Sequence, residues 1–270
     1  MVILIFFIAH WQLSVFFQSF FLHRYGAHKQ FTMTKGWEKV FHFLAWFVGG
    51  PSYLSPRAYA ILHRMHHAYS DTPQDPHSPV HNPNFFKMMW KTKVLYTGLK
   101  DGTIKPEARF DGDVPYSPVL DGPLSSWPVS IAWGAAYTLF YVAFATHWWM
   151  FLLVPVHYLM GPIHGAIVNW CGHKYGYRNF KSDDASKNTL VFDVLTMGEL
   201  FQNNHHKFGM SPNFASRWFE IDPAYVAIRV FGALGMIDLS KAQKPKYREA
   251  KAREAKEAAA LLQPSTMDAE

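Results

Sequence analysis

Charge is missing from three long stretches of this chain. Residues 1–23, 40–56 and 122–173 contain no Asp, Glu, Lys or Arg, although charged residues make up 17% of the whole. The mean hydropathy of −0.08 suggests a soluble protein only because it averages over this segregation. Residues 2–22 (VILIFFIAHWQLSVFFQSFFL) are long enough, at ~1.5 Å per helical residue, to cross a hydrocarbon core of ~30 Å. No basic segment precedes them and no small-residue cleavage site follows, which argues against a signal peptide. The run 122–173 divides into two further spans, 128–147 and 150–169. Trp127, Trp148, Trp149 and Trp170 fall near their ends, where interfacial aromatics concentrate. A buried helical hairpin in a soluble protein is the competing reading, but soluble helices rarely run so far without charge.

A length of 270 residues suits one catalytic domain. The single cysteine, Cys171, excludes an intrachain disulfide and any four-cysteine metal cluster. The formal charge of +6 does not point to nucleic acid, because the Lys and Arg residues flank apolar runs, where they orient a chain in a membrane. Residues 40–56 are apolar but interrupted by Gly49, Gly50 and Pro51. Polar stretches occupy 57–121 and 174–207. Residues 241–262 interleave Glu with Lys and Arg, the pattern of a solvated helix. The expected organisation is a membrane domain over 1–240 and a charged cytoplasmic helical tail over 241–270.

Fifteen histidines are present, and most are clustered. His23-Arg-Tyr-Gly-Ala-His28 ends the first span, and His63-Arg-Met-His66-His67 follows the second apolar segment. Gln202-Asn-Asn-His205-His206 repeats that register, and Asn169-Trp-Cys-Gly-His173 closes the last span. Residues three and four apart share a helix face, so each of the last three sets converges from one helix. Several neutral imidazoles with open positions suit iron and oxygen chemistry better than a closed structural site. His10, His42, His81, His147, His157 and His164 stand alone and read as structural or exposed. Ligands of one centre must share a side of the bilayer. A two-span hairpin between the second and third clusters returns the chain to the side it left. The 17-residue segment 40–56 is too short to cross twice, so it is expected to lie in the interface or dip in and back. The fold expected is all-α and integral to the membrane. It has about three spanning helices, one interfacial or re-entrant segment, and a cytoplasmic helical cap carrying the histidine clusters.

HRYGAH, HRMHH and QNNHH, with NWCGH before the last, resemble the histidine boxes of membrane fatty-acid desaturases of the stearoyl-CoA type. The phrase His66-His67-Ala-Tyr-Ser-Asp-Thr, followed by Asp75-Pro76-His77, is similar to the Δ9 branch of that family. The resemblance covers about residues 20–235. It implies two non-haem irons that activate O2 and remove two hydrogens from an acyl chain. By the same resemblance His23, His28, His63, His66, His67, His173, His205 and His206 are iron ligands, and Asn169 holds a water on one iron. Two positions depart from the pattern. Gln202 stands where the acyl-CoA branch usually has His; its amide binds iron weakly through oxygen, holds a water, or only fills space. One span precedes the first box where the family usually has a pair, as in a shortened variant or a sequence with a late start.

Breaking a methylene C–H bond is the metal's chemistry, and the protein supplies placement and exclusion of water. An apolar tunnel is expected, with Trp148, Trp149, Trp170 and Tyr158 as unassigned candidates for its wall, and Arg57, Lys91 and Lys93 as head-group contacts. The expected partners are a fatty-acyl substrate (acyl-CoA or acyl-lipid), the membrane and an external electron donor. The sequence has neither a His-Pro-Gly-Gly haem motif nor a cysteine set, so the donor is a separate ferredoxin, rubredoxin or cytochrome b5 with its reductase. A hydroxylase of acyl chains, sterols, carotenoids or alkanes is the alternative within this chemistry. A membrane metal transporter is the other, but transport predicts ionisable residues inside the spans. The hairpin holds only His147, His157 and His164, with no carboxylate.

Overall fold

The computed structural model describes residues 1–82, 84–244 and 247–261. Ten α-helices, linked by short 3-10 turns, account for the regular structure; isolated bridges such as Thr32–Asp238 stand in place of a sheet among the described residues. The first helix, α1 (Val2–Phe17), continues without a break as a π-helix over Gln18–Ala27. Together they make a 26-residue apolar rod, Val2–Ala27, long enough to span a membrane.

The second helix, α2 (Lys35–Gly49), is capped by the Thr34 hydroxyl, which accepts from the Trp37 N–H. It buries Glu38, Phe41, His42 and Ala45, one stripe at helical spacing, and exposes Val40, Phe43 and Phe47. The chain leaves the helix at Gly50, whose φ of +51° suits glycine, and a turn Gly50–Ser52 reverses it. Gly49, Gly50 and Pro51 therefore end this segment where the sequence suggested a weakened middle. Helix α3 (Pro56–Tyr69) begins with Ser55 as cap and Pro56 in its first turn, and carries the second histidine set. Helix α4 (Phe85–Asp101) packs against α3 through Leu99, Ala58, Ile61 and Leu62.

The charge-free run 122–173 divides differently from the two straight spans read in the sequence. Helix α5 (Trp127–Phe144) is one span. The return path is broken into a 3-10 stretch Trp148–Leu153, a short α6 (Val154–Tyr158) and α7 (Met160–Lys174), with a bend of 75°. The cause is local: the break falls at Leu159, and Pro162 has no N–H for the Tyr158 carbonyl one turn back, while Pro155 occupies the first turn of α6, where none is needed. Among the described residues, two helices are thus long and apolar enough to cross a membrane, or three if the bent pair is one span.

A neutral hydrogen-bond chain pins the bend. His10 Nε2–H donates to the Val48 carbonyl at 2.7 Å, so His10 Nδ1 carries a lone pair. His157 Nδ1–H therefore donates to it at 2.6 Å, and Tyr141 O–H donates to His157 Nε2 at 2.8 Å. Four helices are joined by buried groups that would otherwise be unpaired. Beneath the first histidine pair, Phe17, Phe20, Phe21, Phe31 and Phe41 form an aromatic core with Ile228 of α9 (Pro223–Ala233). Helix α8 (Gln202–Lys207) carries the third set. Helix α10 (Tyr247–Leu261) is the charged tail, its Tyr247 ring stacked on Phe180 at 5.5 Å; residues 245, 246 and 262–270 lie outside the described ones.

Candidate metal centre

The first histidine pair is five residues apart, a spacing that does not share an α-helical face. The π-helix resolves this. Its hydrogen bonds run from residue i+5 to i, and His28 N–H donates to the His23 carbonyl at 3.1 Å. The wider turn brings the two rings to a centroid distance of 5.0 Å. Helix α3 adds His63 and His67 from one face, and α8 adds His205. The ligand nitrogens of His23, His28, His63, His67 and His205 all lie within 4.8 Å of one another. Those of His66, His173 and His206 form a second group by the same measure. All eight histidines expected as ligands are therefore gathered, five in one group and three in the other.

The orientation of the rings shows what this arrangement accepts. Outer nitrogens are tied to carboxylates: His66 Nδ1–H donates to Asp75 at 2.9 Å, His173 Nδ1–H to Asp71 at 2.9 Å, and His206 Nδ1–H to Asp184 at 2.7 Å. In a neutral ring that leaves Nε2 as a lone pair. The Nε2 atoms of His66 and His206 face each other at 3.2 Å, and His173 Nε2 is buried without a hydrogen-bond partner. Three inward acceptors with no donor between them fit a cation. In the first group His23 Nδ1–H donates to Glu199 at 2.6 Å, and His23 Nε2 faces His205 Nε2 at 3.0 Å. His28 and His63 approach at 2.6 Å, and His67 and His205 at 2.9 Å.

Burial pushes the pKa of His28, His63, His67 and His205 well below the ordinary value, and neighbouring imidazoles push the same way. Neutral imidazole is the form that binds metal. His206 is lowered to about 4, chiefly by burial. At Asp184 burial is outweighed by hydrogen bonds from His206, Ser186 and Ser182, which hold the carboxyl far below the usual range. Asp71 is likewise held at about 2, burial being outweighed by His173 and Ser78. These ring–carboxylate pairs fix tautomer and direction, as the outer partners of metal-bound histidines do. The two groups are positioned to form a di-iron site, and their all-nitrogen donor set suits non-haem iron.

Sequence reasoning missed the carboxylates. His173 and Asp71 are 102 positions apart and His23 and Glu199 are 176 apart, so no local pattern joins them. Asn169 sits four residues before His173 on α7, its amide donating to the Gly165 carbonyl at 2.8 Å. Gln202 is buried, with its amide nitrogen donating to the Glu199 carbonyl at 2.8 Å. Of the isolated histidines, His42 bonds Tyr53 at 2.8 Å and His81 bonds the Asp71 carbonyl at 2.8 Å, ordinary structural roles.

A mostly apolar cavity of about 970 Å³ opens beside the centre. His23, His63, His77, Asn169 and Gln202 share its wall with apolar side chains such as Leu62, Met88, Ile131 and Leu139. Tyr158 lines it, held by hydrogen bonds to the Gly134 carbonyl at 2.9 Å and to Thr138. Trp148, Trp149 and Trp170 are not part of the wall. Among the proposed head-group contacts only Lys93 reaches the cavity. Arg57 is paired with Asp111 at 2.5 Å, and Lys91 donates to the Asp75 carbonyl at 2.7 Å.

Several known proteins are similar to this chain in sequence. The chain is 28% identical over 227 residues to the Delta-9 desaturase-like 5 protein of Arabidopsis thaliana, covering 81% of this chain and 70% of that one. It is 28% identical to the sn-1 stearoyl-lipid 9-desaturase of Anabaena variabilis, covering 79% and 74%. It is also 28% identical to the hex-5-enoyl-[acyl-carrier protein] acetylenase of Moorena producens, covering 90% and 78%. The profile of the fatty acid desaturase family matches residues 1–231, and the chain belongs to that family.

Proposed function

We propose that the protein is an acyl-chain desaturase that inserts a cis double bond, at the Δ9 position, into a saturated acyl-CoA or acyl-lipid. The observation that carries this reading is the meeting of eight histidines in two groups, of which His23 and His63 line an apolar cavity. Overall, a CH2–CH2 unit, O2, two electrons and two protons give CH=CH and two waters. Two iron ions, when bound, supply the oxygen activation. His23, His28, His63, His67 and His205 hold one, and His66, His173 and His206 hold the other, with Asn169 placing a water. The carboxylates keep the imidazoles aimed, and the cavity holds the chain dry beside them. Electrons come from a separate ferredoxin, rubredoxin or cytochrome b5 system. The histidine groups lie on the cytoplasmic side of the membrane.

The names of the relatives span lipid and acyl-carrier-protein substrates, so the acyl carrier is a matter for assay. The test is expression with a compatible reductase system, followed by gas chromatography–mass spectrometry of cellular acyl chains. New monounsaturated chains, absent with His67→Ala, are expected. Hydroxylated chains in their place would assign the protein to hydroxylation instead.

A further inference from the structure

The two groups of nitrogens are unequal, five against three. The histidine that the eight leave out is His77. It is 6% exposed, and neither of its ring nitrogens has a hydrogen-bond partner. A buried imidazole with two unpaired polar atoms is expensive, and each such group in a native protein calls for an explanation. His77 lies beside the smaller group. Its ring centroid is 4.6 Å from that of His66, and ligand atoms of His66, Asp75 and His77 fall within 4.8 Å of one another. Asp75 fixes both neighbours, accepting from His66 Nδ1–H and, at 3.0 Å, from the His77 backbone N–H.

Position 202 shows why the smaller group is short. Gln202 stands four residues before His206 on α8, on the same face, and lines the same cavity as His77. Its amide nitrogen is occupied by the Glu199 carbonyl. We propose that His77 is the fourth nitrogen donor of the second metal position, where residue 202 offers only an amide. His66 is the member shared by the two sets. His77 lines the cavity, with its ring beside that of His66. The inference rests on the di-iron reading and extends it by one ligand.

The test compares full-length protein purified from membranes as the parent, His77→Ala, His77→Phe, Gln202→His and the double variant His77→Ala/Gln202→His. Iron per chain is measured by mass spectrometry after dialysis against a ferrous chelator, with Mössbauer spectra of iron-57 samples. The expected result is two irons in the parent and about half that in His77→Ala and His77→Phe. The double variant should return to two, because a histidine at 202 reaches the same ion. Parental iron retention in both His77 single variants would overturn the proposal while leaving the di-iron reading intact. Equal loss in the double variant would mean that His77 holds the fold and not the ion, and would also overturn it. A parent with fewer than two irons would overturn the di-iron reading itself.

Discussion

Asp75, Asp71 and Asp184 each accept a hydrogen bond from the outer N–H of one histidine in the second group, and Glu199 does so for His23. An amide in the same place can present either a donor or an acceptor, and it weakens the hold on the tautomer. Asp184→Asn is therefore expected to reduce iron affinity about 10–100-fold, read by competition with a ferrous chelator. Unchanged affinity would mean that Asp184 does not orient His206. The histidines themselves were legible in the sequence because spacings of three and four are a local property of a helix. The carboxylates were not, since each is joined to its ring only by the tertiary fold. His77 was visible as part of the Asp75-Pro76-His77 phrase, but nothing local reveals that both its nitrogens are buried and unpaired.

Among the elements, the π-helix and the broken return path matter most. A five-residue spacing gave no helical face to read, and only the π-winding makes His23 and His28 neighbours. Pro162, one turn after the break at Leu159, bends what hydropathy alone treats as one rod. His10 and His157 were read as structural, and the chain from Tyr141 to Val48 gives that role its mechanism. His157→Leu removes one donor and one acceptor from this chain. It is expected to cost about 1–3 kcal/mol for the groups left unpaired, seen as a lower thermal midpoint in detergent with the iron ligands untouched. A midpoint equal to the parent's would place the chain outside the stabilising contacts. Gly172 is the close contact between α7 and α8: a Cβ there would lie 2.4 Å from Gln202 Cγ. Gly172→Ala is expected to push α8 away and lower iron occupancy; full occupancy would show that α8 can shift without disturbing His205 and His206.

On the scale of the whole molecule, the sequence supplied the all-α class, the apolar helices and the pairing of histidine sets with helix ends. The cavity was foreseen only as a need for an apolar tunnel. Its wall is assembled from α1 and its π-helical continuation, the Gly50–Ser52 turn and α3 to α8; Trp127 lines it, whereas Trp148, Trp149 and Trp170 take no part. The side of the membrane on which the centre lies is testable by labelling. With Cys171→Ser as background, Lys105→Cys and Asp183→Cys place single thiols on exposed positions of the two polar segments. Both are expected to react with a membrane-impermeant maleimide from the cytoplasmic face alone. Labelling from opposite faces would break the topology on which a single centre depends.

The two nitrogen groups, carried on four stretches of chain, are positioned to form one centre for two irons. Its most direct test is an anaerobic titration of metal-free protein with ferrous iron, followed by Mössbauer spectroscopy. Saturation is expected at two irons per chain in two nitrogen-rich environments, reduced in a His205→Ala variant. Saturation at one iron or fewer, or a titration indifferent to His205, would contradict it.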